Sequence, residues 1–218
     1  MEQELLKLAQ VSGKKNKGFV LSNISFSLPA GYIMGIAGKN GAGKTTLIDY
    51  IIHPVKQYTG SMTLLGEEIH DNPVKMRDKI GFVSDNNHFF LERSAKQNAQ
   101  ITGVLYENWD MDLFFQAMDR MELSPSKVVG KMSRGEQMRF QMAYAMAHRP
   151  VLYLLDEVTA GMDPVFRIDF FRVLQQVIAE EQASVLMTSH IEEELGRKMD
   201  YIGVLENGKL ISFEEQAG

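Results

Sequence analysis

The glycine-rich stretch at residues 38–45 constrains this chain more than any other, because it fits the pattern G-x-x-x-x-G-K-[ST]. Residues 32–37 before it are mostly apolar, as in a buried parallel strand, and residues 47–52 repeat apolar side chains at helical spacing. Strand, loop and helix in this order direct backbone N–H groups at an anion. The stretch therefore predicts a phosphate-binding loop, whose residues are Gly38, Lys39, Asn40, Gly41, Ala42, Gly43, Lys44, Thr45 and Thr46.

The phosphate loop has an acidic counterpart further along the chain. We expect Lys44 to reach the terminal phosphates of a nucleotide and the Thr45 hydroxyl to bind Mg²⁺. The apolar run at residues 151–155 ends in Asp156 and Glu157, and open α/β sheets bind ligands at such strand ends. Asp156 is predicted to hold Mg²⁺ and Glu157 to act as the general base for an attacking water. A solvated acidic loop is the alternative, and the phosphate loop upstream argues against it.

A third motif lies at residues 132–136. Ser133 and Glu136 are spaced as a capping box, which predicts that a helix starts here. Ser133 and the Gly135 amide would present donors at the positive end of that helix, which suits a phosphate. Methionines at positions 138, 142 and 146 form a stripe along the same helix. We interpret that stripe as core packing rather than as a ligand surface.

These motifs, in this order, resemble those of the ATP-binding cassette (ABC) ATPases, the nucleotide-binding subunits of ABC transporters. The resemblance runs essentially end to end: residues 133–137 stand where the signature L-S-G-G-Q belongs, residues 160–163 resemble the loop that reports across the dimer, and residues 188–190 contain the switch histidine. It implies ATP and Mg²⁺ as cofactors, with Glu157, His190 and Lys44 as catalytic residues. Ser133, Gly135 and Glu136 would then contact ATP held by a second chain.

The resemblance also implies partners and a location. We expect a homodimer, or a heterodimer with another ATP-binding subunit, and a separately encoded integral-membrane transporter subunit. The chain would lie at the cytoplasmic face of the cell membrane through that subunit. No residue stands out as the aromatic that stacks on adenine in this family, and Phe19 is the nearest candidate. Trp109, Phe89 and Phe90 are interpreted as buried packing, with a groove for a transporter helix as the alternative.

Four positions depart from the family pattern. Asp85 stands where a glutamine is usual, and we expect it to contribute to the Mg²⁺ shell through a water; a solvated loop residue is the alternative. Arg134 replaces the first glycine of the signature and Glu136 replaces its glutamine, while Val158 replaces a proline. Overall the pattern is closer to bacterial exporters of the ABC-2 type than to nutrient importers.

Composition narrows the alternatives. The 218 residues carry a net charge of −5, with no long basic run that would indicate a nucleic-acid surface, and no cysteine for disulfides. The acidic N-terminus lacks the layout of a signal peptide. One rival interpretation is a soluble ABC ATPase of DNA repair or translation, which the missing basic face disfavours. The other is a regulatory subunit that hydrolyses ATP weakly; the altered signature favours it, whereas Lys44, Glu157 and His190 argue against it.

The predicted fold class is α/β. A phosphate-loop NTPase core of mainly parallel strands carries an N-terminal antiparallel β part and an inserted helical subdomain. Residues 1–218 form one ABC ATPase domain, with residues 1–84 and 149–218 as the nucleotide-binding core and residues 85–148 as the helical signature subdomain. A polar turn is predicted at residues 12–18, a helix start at Asp163 and Pro164, and a hairpin turn at Asn207 and Gly208.

Overall fold

The structure, a computed structural model, describes residues 4–15, 19–53, 55–158, 164–181, 183–190 and 199–216. Its strands are β1 (Glu4–Lys15), β2 (Phe19–Pro29), β3 (Ile33–Ala37), β4 (Tyr58–Leu64), β5 (Glu67–Glu68), β6 (Ile80–Ser84), β7 (Leu152–Asp156), β8 (Ser184–Ser189), β9 (Tyr201–Glu206) and β10 (Lys209–Glu215). Its helices are α1 (Lys44–Ile52), α2 (Pro73–Asp78), α3 (Ala95–Thr102), α4 (Met111–Arg120), α5 (Arg134–Met146) and α6 (Pro164–Glu181). Short 3₁₀ turns lie at Gly103–Leu105 and Val129–Lys131.

The strands form two sheets of different kinds. One sheet has the order β10-β9-β3-β8-β7-β6 and is parallel except where β10 pairs with β9. The other has the order β2-β1-β4-β5 and is antiparallel. Strands β3, β7 and β8 are buried along their whole length, as expected of parallel strands covered on both faces. The predicted fold class is confirmed.

The central strand β7 divides the apolar core in two. Leu152 and Leu154 belong to a cluster that also contains the apolar face of α1 and side chains of the antiparallel sheet. Tyr153 and Leu155 point to the opposite side and join a cluster under α4 and α5. The methionines of the α5 stripe are buried in that second cluster, which confirms their prediction as core; they are Met138, Met142 and Met146.

Two predicted turns have different outcomes. Asn207 and Gly208 both have positive φ, 46° and 77°, and connect β9 to β10, so the predicted hairpin turn is confirmed. The predicted polar turn at residues 12–18 is wrong for residues 12–15, because β1 continues to Lys15 and pairs with β2. Gly13 serves close packing there: a Cβ on it would lie 2.5 Å from the Tyr50 hydroxyl. Residues 16–18 lie outside the described residues.

Helices α3, α4 and α5 all lie within the predicted insertion, and α5 packs against β6 and α4. The capping box of Ser133 and Glu136 is present at the start of α5, as predicted. Helix α6 begins at Pro164, which agrees with the predicted helix start, although Asp163 is outside the described residues. Within the described part of the chain, no helix combines the length and apolar character needed to cross a membrane.

Candidate functional site

The register of the parallel sheet brings the predicted site residues together at the C-terminal ends of its strands, which are called the sheet edge below. Ala37 at the end of β3 lies opposite Ser189 at the end of β8, and Asp156 at the end of β7 lies between Ser84 and Thr188. The segments that follow these four strands therefore begin side by side. They are the phosphate loop, Asp85, Glu157 and His190. The sheet thus collects residues that are far apart in sequence.

The phosphate loop depends on its glycines. Gly41 and Gly43 have φ of 80° and 113°, in the left-handed region that disfavours other residues, and Gly43 is the N-cap residue directly before α1. A Cβ on Gly38 would lie 2.5 Å from the Leu205 carbonyl oxygen. The N–H groups of the first turn of α1 have no helical acceptor ahead of them, so they can bind an anion.

Lys44 connects the loop to the acidic strand end. Its ammonium donates to the carbonyls of Gly38 (2.6 Å) and Lys39 (3.3 Å), and its Nζ lies 3.1 Å from Oε1 of Glu157. The side chain of Lys44 is only 3% exposed, whereas Thr45 beside it is exposed. A buried ammonium requires such partners, and phosphate oxygens are acceptors of the same kind. The structure therefore brings Lys44 and Glu157 together, as the predicted site requires.

A threonine connects the Asp156 carboxylate to the backbone of Glu157 at this strand end. The Thr188 hydroxyl donates to Oδ1 of Asp156 (2.6 Å) and accepts from the Glu157 N–H (3.0 Å). Glu157 has a positive φ of 53°, a backbone conformation that is uncommon for residues other than glycine. Thr188 was not predicted as a site residue. Its place directly before Ser189 and His190 in the switch motif is the signal that would have identified it.

His190 lies beside the phosphate loop. It is exposed and lines a cavity of about 510 Å³ together with residues 37–42 of the loop and residues 204–207. This is the neighbourhood that the resemblance implied for a histidine near the terminal phosphate. Its catalytic role stays a prediction.

At the start of α5, Glu136 is engaged within the chain. Its Oε2 accepts from the Ser133 N–H (2.8 Å), while its N–H donates to the Ser133 hydroxyl (3.3 Å). Its Oε1 lies 2.6 Å from Nζ of Lys127, which is the main reason that the pKa of Glu136 is lowered. Glu136 thus stabilises the helix start, and its predicted contact with ATP stays a prediction. Ser133 is exposed and Gly135 is half-buried.

Two departures from the family pattern contact each other. Nε of Arg134 lies 2.7 Å from Oδ1 of Asp85, and both side chains are about half exposed. This pairing was not predicted from the sequence, although the opposite charges of the two residues were a signal for it. Asp85 follows the end of β6, beside the strand end that carries Asp156, but its carboxylate contacts the guanidinium of Arg134. Its metal role therefore stays a prediction.

The residues present fit a magnesium nucleotide. The glycine loop and the first turn of α1 offer donors, Lys44 offers a buried positive charge, and the Thr45 hydroxyl and the Asp156 carboxylate offer the oxygen ligands that Mg²⁺ prefers. Two predicted features cannot be placed: residues 160–163 lie outside the described residues, and so does the side chain of Phe19.

The aromatic residues of the insertion differ in exposure. Trp109 and Phe89 pack against the core cluster under α4 and α5, which confirms them as packing residues. Phe90 is 47% exposed, so the interpretation as buried packing is wrong for this residue.

Comparisons with known proteins show which family this chain resembles. A family model described as "ABC transporter" matches residues 21–160. The chain is 32% identical over 206 residues to the ABC transporter ATP-binding protein YtrB of Bacillus subtilis, covering 94% of this chain and 70% of YtrB. It is 31% identical over 225 residues to the Nod factor export ATP-binding protein I of Rhizobium leguminosarum bv. viciae, covering 98% and 72%. It is 29% identical over 195 residues to the bacitracin transport ATP-binding protein BcrA of Bacillus licheniformis, covering 88% and 63%.

Solved structures share the fold. The dimeric bacterial ABC transporter cassette MJ0796 superposes with a TM-score of 0.87 at 22% identity, covering 98% of this chain and 100% of that one. The protein cbiO1 of Clostridium perfringens, part of an ABC transporter complex, superposes with a TM-score of 0.85 at 23% identity, covering 98% and 89%.

Proposed function

Since the chain belongs to the ABC transporter family of ATP-binding proteins, we propose that it powers an exporter, as one of two such subunits bound to a membrane partner. As a member of this family it binds ATP with Mg²⁺ and is an ATPase that drives transport. The residue roles, the export direction and the arrangement of the partners are the parts that we propose. Relatives named for bacitracin transport and Nod factor export support the export direction.

The contact between Lys44 and Glu157 carries the proposal. It joins the phosphate loop to the carboxylate that would activate water, with Nζ of Lys44 3.1 Å from Oε1 of Glu157. Bound MgATP supplies the phosphoanhydride bond to be hydrolysed. Lys44 and the first turn of α1 hold the phosphates, Thr45 and Asp156 hold the metal, and Glu157 orients and deprotonates water. Thr188 fixes the backbone of Glu157 relative to Asp156.

The exposed start of α5 supports a second chain in the working assembly. Ser133 and Gly135 lie at a helix N-terminus that is capped and open to contact. We propose that they face the ATP of a partner subunit, in a head-to-tail dimer. The shared fold with a dimeric cassette is compatible with this arrangement.

The dimer can be tested in a Glu157→Gln background, where slow turnover keeps ATP bound. We expect ATP to convert monomer to dimer in light scattering, and Ser133→Arg to prevent this by placing a bulky cation at the interface. Ser126→Arg, the same change at an exposed serine outside the start of α5, is the matched control. Dimerisation of the Ser133→Arg protein equal to that of its control would place the signature elsewhere.

An apolar surface supports a membrane partner. Val104 and Leu105 are 79% and 55% exposed, and the Leu105 carbonyl accepts a hydrogen bond from Arg77. Arg77 and Tyr106, which directly follows Leu105, line a mostly apolar cavity of about 330 Å³ together with residues of α1, α2 and β6. Adjacent exposed apolar side chains beside an apolar cavity are suited to binding an apolar helix face. We propose that a cytoplasmic helix of the integral-membrane subunit binds here, which would hold the chain at the cytoplasmic face of the membrane.

Copurification tests this surface. Val104→Glu with Leu105→Glu should abolish recovery of the chain with its membrane subunit, because two charges would be buried in the contact. Basal ATPase activity should be unchanged. Ile211→Glu, which alters a similarly exposed apolar residue on β10, is the control. Recovery of the double variant at the level of that control would contradict the proposal.

A further inference from the structure

The segment at residues 84–90, between β6 and α3, is held at both ends by buried carboxamides. Gln141 of α5 accepts from the Ser84 N–H (3.1 Å) and donates to the Ser84 carbonyl (2.9 Å). Asn98 of α3 accepts from the Phe90 N–H (2.8 Å) and donates to the Phe90 carbonyl (3.0 Å). The two amide side chains are 3% and 0% exposed. The same paired contact therefore occurs twice, at the first and last residue of one segment.

The physical consequence of these contacts follows from the shape of a carboxamide. It presents a donor and an acceptor side by side, so it pairs both backbone groups of one residue as a neighbouring strand would. Strand β6 is the outermost strand at one side of the parallel sheet. There the Gln141 side chain bonds to the backbone of Ser84. Breaking either pair would leave buried polar groups unsatisfied, so both ends of the segment are strongly fixed to helices.

Helix α5 contacts the segment at two further points. Arg134 pairs with Asp85, and the Gln137 side chain accepts from Nδ2 of Asn87 (3.2 Å). Residues 134, 137 and 141 are spaced so that they share one face of α5. The polar face of the helix whose start carries Ser133 is thus occupied by residues 84–87.

We propose that Gln141 and Asn98 are positioning residues that make residues 84–90 move as one unit with α3 and the start of α5. One end of this unit, Ser84, lies opposite Asp156 in the sheet, and the other end, Phe90, is exposed. A displacement of the apolar surface at Val104 and Leu105, which follows α3 directly, would then reach the strand end that carries Asp156 and the start of α5 together. This inference rests on the proposed function, since it connects the surface proposed for the membrane subunit, at Val104 and Leu105, to the proposed dimer interface at the start of α5.

Hydrogen exchange of the chain without nucleotide tests the attachment by itself. Gln141→Met keeps the length of the side chain but removes both hydrogen bonds. We expect exchange of the Ser84 amide to accelerate about tenfold, the equivalent of one buried hydrogen bond, with α1 unchanged. Asn98→Leu should accelerate the Phe90 amide in the same way. Unchanged exchange of Ser84 and Phe90 would overturn the attachment, whatever the chain does in transport.

ATPase assays with the membrane subunit test the transmission. Gln141→Met should keep the KM for ATP, because the phosphate loop is untouched, and should lower stimulation by the partner about tenfold. Ser184→Ala is the control: Ser184 is also buried, and its hydroxyl bonds Gly31 and Pro29 at the other end of β8. Normal stimulation of Gln141→Met, combined with accelerated exchange at Ser84, would overturn the transmission role. A wild-type protein that the membrane subunit does not stimulate would instead contradict the proposed function.

Discussion

The edge of the parallel sheet and the start of α5 both present groups suited to phosphate, but they differ in how those groups are held. At the sheet edge, Lys44, Asp156 and Thr188 are buried and bond to neighbours within the chain. At the start of α5, Ser133 and Arg134 are exposed, and the ion pair of Arg134 with Asp85 is half open to solvent. The first region is internally organised, whereas the second presents its groups outward.

This difference indicates which region can act alone. A buried charge must find its partners within the fold, so the sheet edge has a defined geometry before any second molecule arrives. An exposed ion pair contributes little stability and can be exchanged for another contact. We infer that a single chain can bind nucleotide by itself. Hydrolysis would also require the start of α5 from a second chain.

The largest effect should come from the sheet edge. Glu157→Gln removes the proposed base but preserves its shape, so ATP binding should persist while turnover falls by on the order of 10²–10⁴. Phosphate release measured at saturating ATP checks this. If the variant turns over at nearly the wild-type rate, Glu157 is not the base. The difference between the two regions would then not reflect a catalytic role of the sheet edge.

The next effect concerns the far end of α5. His148 stacks on Tyr106, and its Nε2 lies 3.2 Å from the Ile80 carbonyl oxygen. Burial lowers the pKa of His148 from 6.5 to about 4, although that hydrogen bond and Asp78 oppose the shift. The folded state therefore binds fewer protons than the unfolded state between these values, and the free energy of unfolding should fall with the pH from 6.5 towards 4. The loss should total about 3 kcal/mol.

Urea unfolding at several pH values checks the His148 prediction. His148→Phe keeps the ring stack but cannot titrate, so its free energy of unfolding should fall less steeply over the same range. The difference between the two curves isolates His148 from the acidic residues. Parallel curves would mean that His148 contributes nothing to the pH dependence.

A smaller effect is expected at Thr188, whose hydroxyl bridges the Asp156 carboxylate and the Glu157 N–H. Thr188→Val removes a hydroxyl of similar shape and leaves Asp156 and the Glu157 N–H without it, at a cost of about 1–3 kcal/mol in the free energy of unfolding. Thr188→Ser keeps the hydroxyl and should lose much less. A larger loss for Thr188→Ser than for Thr188→Val would mean that the methyl group, rather than the hydroxyl bridge, stabilises this edge.

The smallest effect should come from Asp85 and Arg134. A double-mutant cycle with alanine should give a coupling of about 0.2–1 kcal/mol in the free energy of unfolding, as for other exposed ion pairs. The Mg²⁺ dependence of ATPase activity is more informative. Asp85→Ala should raise the Mg²⁺ concentration for half-maximal activity, whereas Arg134→Ala should lower it, because it frees the Asp85 carboxylate. An unchanged Mg²⁺ dependence in both variants would remove Asp85 from the metal shell.

Much of the site was predictable because its signals are local. The phosphate loop depends on glycines and a helix start within nine residues, and the start of α5 depends on a capping box of two residues three apart. The polar turn at residues 12–18 failed for the opposite reason. Its small and polar residues indicate a turn when considered alone, but Ser12 and Gly13 are paired with β4, more than forty residues away.

The sequence by itself determined the motifs, their order, the parallel sheet and the family, because backbone preferences and apolar periodicity act over a few residues. Only the tertiary structure decided how Thr188 bridges Asp156 and Glu157, that Arg134 engages Asp85, and that Gln141 covers Ser84, 57 residues away. The sequence around a threonine, a glutamine or an exposed charged residue does not indicate which distant residue it will contact. The partner is chosen by the packing of α5 on the edge of the sheet, where buried polar groups must be satisfied.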